Sequence, residues 1–172
     1  MLFLQKPTRS INSTTGEPEE SWVNVGLVYA QVTPDGGTES VESGQNAAEV
    51  THTVRVNYRN DINTQRRFLI NGLYGQLNGA ITNGTAVVVD DAAFVEFAQT
   101  RRVRALRIDD EFMTVSSVSG NTITVVRAAF GSTLANHADN SKVILYRQLN
   151  IASVYDLDGR KSDMTCKCVE VT

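Results

Sequence analysis

Residues 22–32 read Trp-Val-Asn-Val-Gly-Leu-Val-Tyr-Ala-Gln-Val, and this stretch decides the fold class. Successive side chains of an extended strand point to opposite faces of a sheet. One face here carries Val23, Val25, Leu27 and Tyr29, and the other carries Trp22, Val28 and Val32. A strand that is apolar on both faces is typical of the interior of a small barrel or sandwich. The sequence therefore predicts an all-β fold organised around this strand.

A second strand is predicted at residues 51–58, where apolar and polar side chains alternate. His52, Val54, Val56 and Tyr58 share one face, so this strand is expected to be half-buried with its other face in solvent. The predicted core of the barrel combines apolar residues of both strands: Trp22, Val25, Leu27, Tyr29, Val54, Val56 and Tyr58.

Between these two strands lies a polar segment, residues 34–50, that contains no Lys or Arg. Connections longer than about 12–15 residues without secondary structure are usually functional or disordered. The segment's acidic and glycine residues are Asp35, Gly36, Gly37, Glu39, Glu42, Gly44 and Glu49. Taken on its residues alone, the segment is typical of a solvated surface loop.

The character of the sequence changes at Asn78-Gly79, which indicates an inserted domain. Residues 79–148 are predicted to form short strands, one brief helix capped by Asp90 or Asp91, and a hairpin that turns at residues 119–121. Residues 1–78 and 149–172 are predicted to form the discontinuous parent β-barrel. No sustained helical periodicity or alternation of strands and helices contradicts the all-β class.

The composition excludes several classes of protein. A chain of 172 residues with 41% apolar and 20% charged residues can bury a core, so it is not intrinsically disordered. The net charge of −3 argues against non-specific coating of nucleic acid, which depends on Lys and Arg. No apolar run approaches the roughly 20 residues that span a bilayer, and the first residues lack the pattern of a signal peptide. Synthesis in a cytoplasm without membrane partners is therefore expected.

The sequence carries no recognisable catalytic, metal-binding or cofactor-binding set. One group of residues has the side chains of a metal site: Asp-Asp-Glu at 109–111, with His137 and Asp139. Carboxylates beside a strand are more often solvated, so a metal site is not the preferred interpretation. His137 is expected to bond backbone groups of its loop. Cys166 and Cys168 are expected to be reduced thiols, since positions i and i+2 of a strand are poorly placed to bridge each other.

Four arginines lie within seven residues: Arg101, Arg102, Arg104 and Arg107. Such a cluster contacts DNA phosphates, meets an acidic partner protein, or forms the solvated side of a strand. The run lacks the interleaved aromatic residues that stack on single-stranded nucleic acid, and a solvated or protein-facing strand is the preferred interpretation.

The order of several segments resembles the tailed-bacteriophage head–tail joining family, also called head-closure, stopper or adaptor proteins. The segments that carry this resemblance are residues 5–8, the Gly16 loop, residues 22–32, residues 52–59, residues 71–74 and the final Cys-x-x-Val of residues 168–171. Within the insertion, residues 108–115, 119–121, 127–133 and 137–138 resemble a β-module that recurs in phage tail and virion proteins.

The resemblance implies a structural virion protein of the phage neck. Such a protein forms a ring of six or twelve identical copies, contacts the portal or adaptor ring and the tail or tail-terminator protein, and helps to retain packaged double-stranded DNA. The segment 34–50 would then reach the channel and act as a gate, because a ring of acidic loops repels DNA phosphates.

Two other functions remain open at the level of the sequence. The chain is alternatively a tail terminator or another ring protein of the neck. In the second alternative it is a binding or decoration module, in which the insertion contacts a glycan or a partner protein.

Overall fold

The computed structural model describes residues 1–35, 51–101, 103–156, 159 and 161–171. These residues form strands β1 (Leu2–Ile11), β2 (Pro18–Val28), β3 (Ala30–Pro34), β4 (His52–Asn57), β5 (Arg67–Gln76), β6 (Ala86–Val88), β7 (Ala105–Ile108), β8 (Glu111–Ser119), β9 (Thr122–Val126), β10 (Lys142–Tyr155) and β11 (Asp163–Glu170). Helix α1 spans Ala92–Thr100, and a 3₁₀ turn spans Ala129–Gly131. The all-β class predicted from the sequence is confirmed.

The first part of the fold is a series of antiparallel strands in the order β2–β1–β5–β10–β11–β4–β3. Its first and last members, β2 and β3, are separated along the chain by Tyr29 alone. The stretch that decides the fold class therefore supplies both ends of this series.

The remaining strands extend the same sheet from β10 in the order β7–β8–β9–β6. Strand β10 pairs with β5 from Lys142 to Asn150, and its second half pairs with β11. The predicted domain boundary at residues 148–149 falls inside this strand. Helix α1 begins as predicted at the N-cap Asp91, whose side chain accepts hydrogen bonds from Ala93 N and Phe94 N.

Two groups of buried apolar side chains form separate cores. The first core contains Leu2, Leu4, Val28, Val54, Val56, Ile62, Phe68, Leu149, Ile151, Met164, Cys166 and Cys168. The second core contains Leu77, Ile81, Val87, Val89, Phe94, Ala98, Val103, Leu106, Ile108, Met113, Ile123, Val125, Val143 and Leu145. Burial of apolar side chains is the main force that favours folding, and each core provides it for the strands that contribute to that core.

An aromatic cluster joins the two parts of the sheet. Its buried members are Leu69, Ala105, Phe112 and Tyr146, and Phe3, Phe130 and Ile144 pack against them. The ring of Phe112 lies 4.9 Å from that of Phe3 and 5.5 Å from that of Tyr146, measured between centroids. Phe3 comes from β1 and Phe112 from β8, so the cluster connects the first strand of the chain to the inserted segment.

The inward face of β2 differs from the sequence prediction. Val25, Leu27 and Tyr29 were predicted to be core residues, but their side chains are 41%, 44% and 76% exposed. The cause is a bulge opposite the Leu4–Gln5 step: Gly26 pairs with Leu4 and Asn24 with Gln5, which leaves Val25 without an opposite residue.

Val28 of this stretch is buried in the first core, where it lies opposite Leu2, and Ala30 and Val32 pack against the same core. Leu27 lies on the other face, and β2 has a neighbouring strand on one edge only among the described residues. Trp22 and Tyr58 are half-buried. Val54 and Val56 are buried, at 0% and 3% exposure.

Gly75 of β5 is a site where a small side chain is predicted to be costly. A Cβ atom there would lie 2.9 Å from Phe94 Cδ2 and 3.0 Å from Val89 Cγ1, and both residues are fully buried. We expect Gly75→Ala to lower the free energy of unfolding by about 1–3 kcal/mol in urea titrations, because overpacked cores must shift side chains or backbone. Gly26→Ala is the matched control, since its added Cβ meets no atom within 4 Å. Equal effects of the two substitutions would contradict this prediction.

Candidate functional site

The two ends of the predicted channel loop meet at one point of the fold. The backbone N of Asp35, just after β3, donates a hydrogen bond to the carbonyl oxygen of Thr51, just before β4, at 3.0 Å. The residues between them, with the predicted site residues Gly36, Gly37, Glu39, Glu42, Gly44 and Glu49, lie outside the described residues. The structure therefore fixes where this segment leaves the sheet and where it returns.

A small polar cluster holds the outgoing end of this segment. The Oγ1 of Thr53 donates to Asp35 Oδ2 at 2.7 Å, and Lys167 Nζ donates to the same oxygen at 3.0 Å. Lys167 also lies 2.6 Å from Thr53 Oγ1. The hydrogen bonds from Thr53 and Lys167 lower the pKa of Asp35 below its ordinary value. The charge of Asp35 is thus paired with a lysine, and this residue serves as an anchor of the segment.

A second cluster holds the returning end. Thr51 Oγ1 accepts a hydrogen bond from the backbone N of Glu170 at 2.7 Å and lies 2.8 Å from His52 Nδ1. Glu170 Oε2 accepts from Arg147 Nη1 at 3.1 Å. Burial lowers the pKa of His52, against the opposing attraction of Glu170. Strands β4, β10 and β11 each contribute to this cluster, so the base of the segment belongs to the rigid part of the fold.

The predicted arginine cluster occupies several different surroundings. Arg107 Nη2 donates to Asp110 Oδ1 at 2.6 Å, and its guanidinium carbon lies 5.5 Å from the centroid of the Phe112 ring. Arg104 is exposed just before β7, and Arg101 is exposed at the C-cap of α1. Arg102 lies outside the described residues. Arg107 is therefore engaged within the chain, while Arg101 and Arg104 face solvent.

Residues 109–137 contain a buried ion cluster around Glu111, a carboxylate that was predicted from the sequence to be solvated. The carboxylate of Glu111, 1% exposed, accepts hydrogen bonds from Arg127 Nε and Nη2, both at 2.7 Å. It also accepts from the backbone N of Ala128 at 2.9 Å and of Ala135 at 3.0 Å. His137 Nε2 lies 2.9 Å from the same carboxylate. Glu111 therefore ties the loop after β9 to the start of β8.

The ring of His137 bonds side chains instead of the backbone groups predicted for it. Its Nδ1 lies 2.8 Å from Asp109 Oδ2, while Nε2 contacts Glu111. Its backbone pairs with that of Ile81 across an isolated bridge. Among the residues that the structure describes, no group of three or more potential ligands is placed to hold a metal ion. The arrangement is suited to fixing a loop.

Acid is expected to weaken the stabilisation that Glu111 provides. Burial raises the pKa of Glu111, but the hydrogen bonds from Arg127, Ala135, Ala128 and His137 outweigh it and bring the pKa down to about 2. A lowered pKa stabilises the fold above the ordinary value near 4.5, and this contribution is lost as the pH falls toward 2. The lowering of the Glu111 pKa from 4.5 to about 2 corresponds to about 3 kcal/mol of folding free energy.

Urea titrations of the chain and of Glu111→Gln between pH 7 and pH 3 measure this effect. We expect the gap in unfolding free energy between the two proteins to narrow as the pH falls below 5. A gap that stays constant over this range would show that Glu111 does not carry the pH dependence.

Both cysteines are buried free thiols on β11, where they face the first core. Burial raises their pKa values, to about 11 for Cys166 and about 12 for Cys168. Thiols with such pKa values are poor nucleophiles at neutral pH. Within the described ranges, no helix has the length and apolar character that crossing a membrane requires.

Comparison with known proteins finds that the first part of the chain is similar to one protein family. The sequence model of the phage head completion protein family matches residues 2–76. The match begins with β1, includes the Trp22 strand and both ends of the segment 34–50, and stops where β5 stops. No curated protein matches the chain. The family match confirms, for residues 2–76, the resemblance to the phage head–tail joining proteins, a structural family of the bacteriophage virion.

Proposed function

We propose that this protein is a structural component of the phage neck that forms a ring of identical copies, six or twelve in number. The ring joins the portal or adaptor ring to the tail or tail terminator and helps to retain packaged double-stranded DNA. The observation that carries this proposal is the match of residues 2–76 to the head completion family. That family is structural and is associated with the phage head and tail components, so the chain is proposed to act without catalysis or cofactor.

Within this proposal, the segment 34–50 faces the channel of the ring. Its Glu39, Glu42 and Glu49 are accompanied by no Lys or Arg in the segment. Repeated around a ring, these charges form a collar that repels DNA phosphates. Support comes from the two anchoring clusters, which hold both ends of the segment against β4 and β11.

The insertion is proposed to be a domain of its own, residues 79–148, that projects outward and braces a neighbouring protein. It lies beyond the residues matched by the family, and the second core is built almost wholly from it. A glycan site would need exposed aromatic rings, but Phe94, Phe112 and Tyr146 are buried. The glycan-binding alternative is therefore not favoured.

Electron microscopy of particles assembled without this chain tests the proposed role. We expect full-size heads that lack tails and have lost their DNA, because a missing closure ring leaves the portal open. Tailed particles filled with DNA would contradict the head-closure role and would favour a decoration module.

The role of the segment is tested separately by complementing such particles with variants. Deletion of residues 36–47 is expected to restore the attachment of tails but not the retention of DNA. A second variant replaces the same residues by an equally long Gly-Ser sequence. It distinguishes the effect of the segment's length on DNA retention from the effect of its charge. Full retention of DNA by the deletion variant would contradict the channel position while leaving the ring proposal intact.

A further inference from the structure

A groove of about 750 Å³ lies between the outer face of the first strands and the inserted segment. Its floor includes Trp22 of β2, Arg67 of β5 and Gln148 of β10. Apolar side chains of the insertion, Val126 and Phe130, line its wall. We refer to this cavity as the Trp22 groove.

Arg67 in the floor of the Trp22 groove is a buried cation, with 8% of its surface exposed. Its guanidinium carbon lies 3.9 Å from the centroid of the Trp22 ring, and its Nε donates to Gln5 Oε1 at 2.7 Å. Burial lowers the pKa of Arg67 to about 10, so the side chain remains charged at neutral pH. The guanidinium is thus held in a fixed orientation by a ring and a neutral amide.

Arg67 forms no ion pair with a carboxylate in the described part of the chain. The desolvation of a charge costs several kcal/mol unless an opposite charge offsets it. Arg127 lines the same groove but is paired with Glu111. The positive charge of Arg67 therefore has no internal counterpart comparable to that of Arg127.

The surroundings of Arg67 add to the positive charge. Arg104 also lines the groove, and an adjoining cavity of about 580 Å³ on the other side of Trp22 is lined by Arg9 and Arg66. The Nη1 of Arg66 is buried and has no hydrogen-bond partner among the described residues. Glu20 is the carboxylate that the two cavities share. Arginines thus outnumber carboxylates in the lining of the two cavities.

We propose that the Trp22 groove binds an acidic segment of a neighbouring protein, with a carboxylate paired to Arg67 and an apolar side chain packed against Val126 and Phe130. Planar guanidinium groups bind carboxylates through two parallel hydrogen bonds. Trp and Arg in recessed, desolvated positions are the residues that most often dominate the energy of protein interfaces. This proposal depends on the proposed neck role in one respect only, which is that the partner is another virion protein.

An acidic polypeptide fits this groove better than DNA does. Duplex DNA presents its phosphates on a convex surface, whereas Arg67 lies at the bottom of a groove with apolar walls.

The fluorescence of Trp22, the one tryptophan of the chain, tests the proposal in the purified full-length protein. The probes are an acetylated Glu-Leu-Glu-Leu-Glu peptide, the matching Lys-Leu-Lys-Leu-Lys peptide and a short DNA duplex. We expect saturable binding of the acidic peptide alone. Arg67→Gln should weaken this binding more than about tenfold, because it removes the buried partner of the carboxylate.

Two further variants control for folding and for general charge. Arg104→Gln changes an exposed residue of the groove and should weaken binding by a few-fold. If circular dichroism shows that Arg67→Gln is unfolded, the result for Arg104→Gln alone decides whether the proposal holds. Arg55→Gln removes an exposed arginine that pairs with Asp163 elsewhere, and should bind as the unmodified chain does.

Equal responses to the two peptides, a preference for DNA, or normal binding by the variants of the groove would each overturn the proposal. The assay uses no assembled particles, so its failure leaves the head-closure proposal untouched. Conversely, a failed particle experiment would not alter the measured preference of the groove.

Discussion

Replacement of Glu111 by alanine is expected to lower the free energy of unfolding by about 3–5 kcal/mol, because it breaks a buried ion pair from one side. The substitution leaves Arg127 and His137 without their shared acceptor, and their side chains are 7% and 0% exposed. It also removes the acceptor of the backbone N–H groups of Ala128 and Ala135.

Asp110→Ala is the matched control, since it removes a carboxylate from the adjacent position. The side chain of Asp110 is 100% exposed, and its ion pair with Arg107 is a surface contact. Such pairs contribute about 0–1 kcal/mol. Urea titrations that give equally small losses for both substitutions would show that the Glu111 cluster does not stabilise the fold.

Phe112→Ala is the second substitution expected to have a large effect, of about 3–5 kcal/mol on the free energy of unfolding. Phe112 is 5% exposed, and its ring contacts those of Phe3, Tyr146 and Phe130. Truncation therefore opens a cavity where the two parts of the sheet are joined. Trp22 fluorescence and far-ultraviolet circular dichroism should both show the loss, since the cluster connects β1 with β8.

Phe112→Leu and Val126→Ala are the controls for this substitution. The leucine keeps much of the buried volume and should cost less than half as much. Val126 is 57% exposed, so its truncation should change the unfolding free energy by less than about 1 kcal/mol. A loss seen by circular dichroism but not by fluorescence would show that the two parts of the sheet unfold separately.

The parts of the fold that depend on neighbouring residues were predictable from the sequence. Alternation in residues 51–58 predicted β4, and the turn at residues 119–121 between two apolar runs predicted the hairpin of β8 and β9. The helix cap at Asp91 was predictable for the same reason. In each case the side chains that determine the structure lie within a few positions of each other.

The inward face of β2 was not predictable, because both of its faces carry apolar residues. The choice between them depends on a bulge against β1, which is a property of two strands. Similarly, Asp109, Glu111 and His137 were recognised as a group, but Arg127, which completes the cluster, was not. Nothing in its own sequence neighbourhood distinguishes it from a solvated arginine.

Arg67 shows the same limit of sequence reasoning. Nothing in the neighbouring sequence indicates that the ring of Trp22 covers its guanidinium group. Of the four closely spaced arginines, the three that the structure describes, Arg101, Arg104 and Arg107, lie in different surroundings. Closeness along the chain therefore does not predict which arginine side chains share the same surroundings.

Strands β5 and β10 run through both parts of the molecule, and this continuity has a mechanical consequence. Their pairing extends from Arg67 and Asn150 to Gln76 and Lys142, with one register shift between Ile144 and Tyr146, and it lies beside the first core at one end and the second core at the other. A load applied to the inserted segment is therefore carried along two backbones and shared by their row of hydrogen bonds. The orientation of the second core relative to the first therefore follows the path of these two strands.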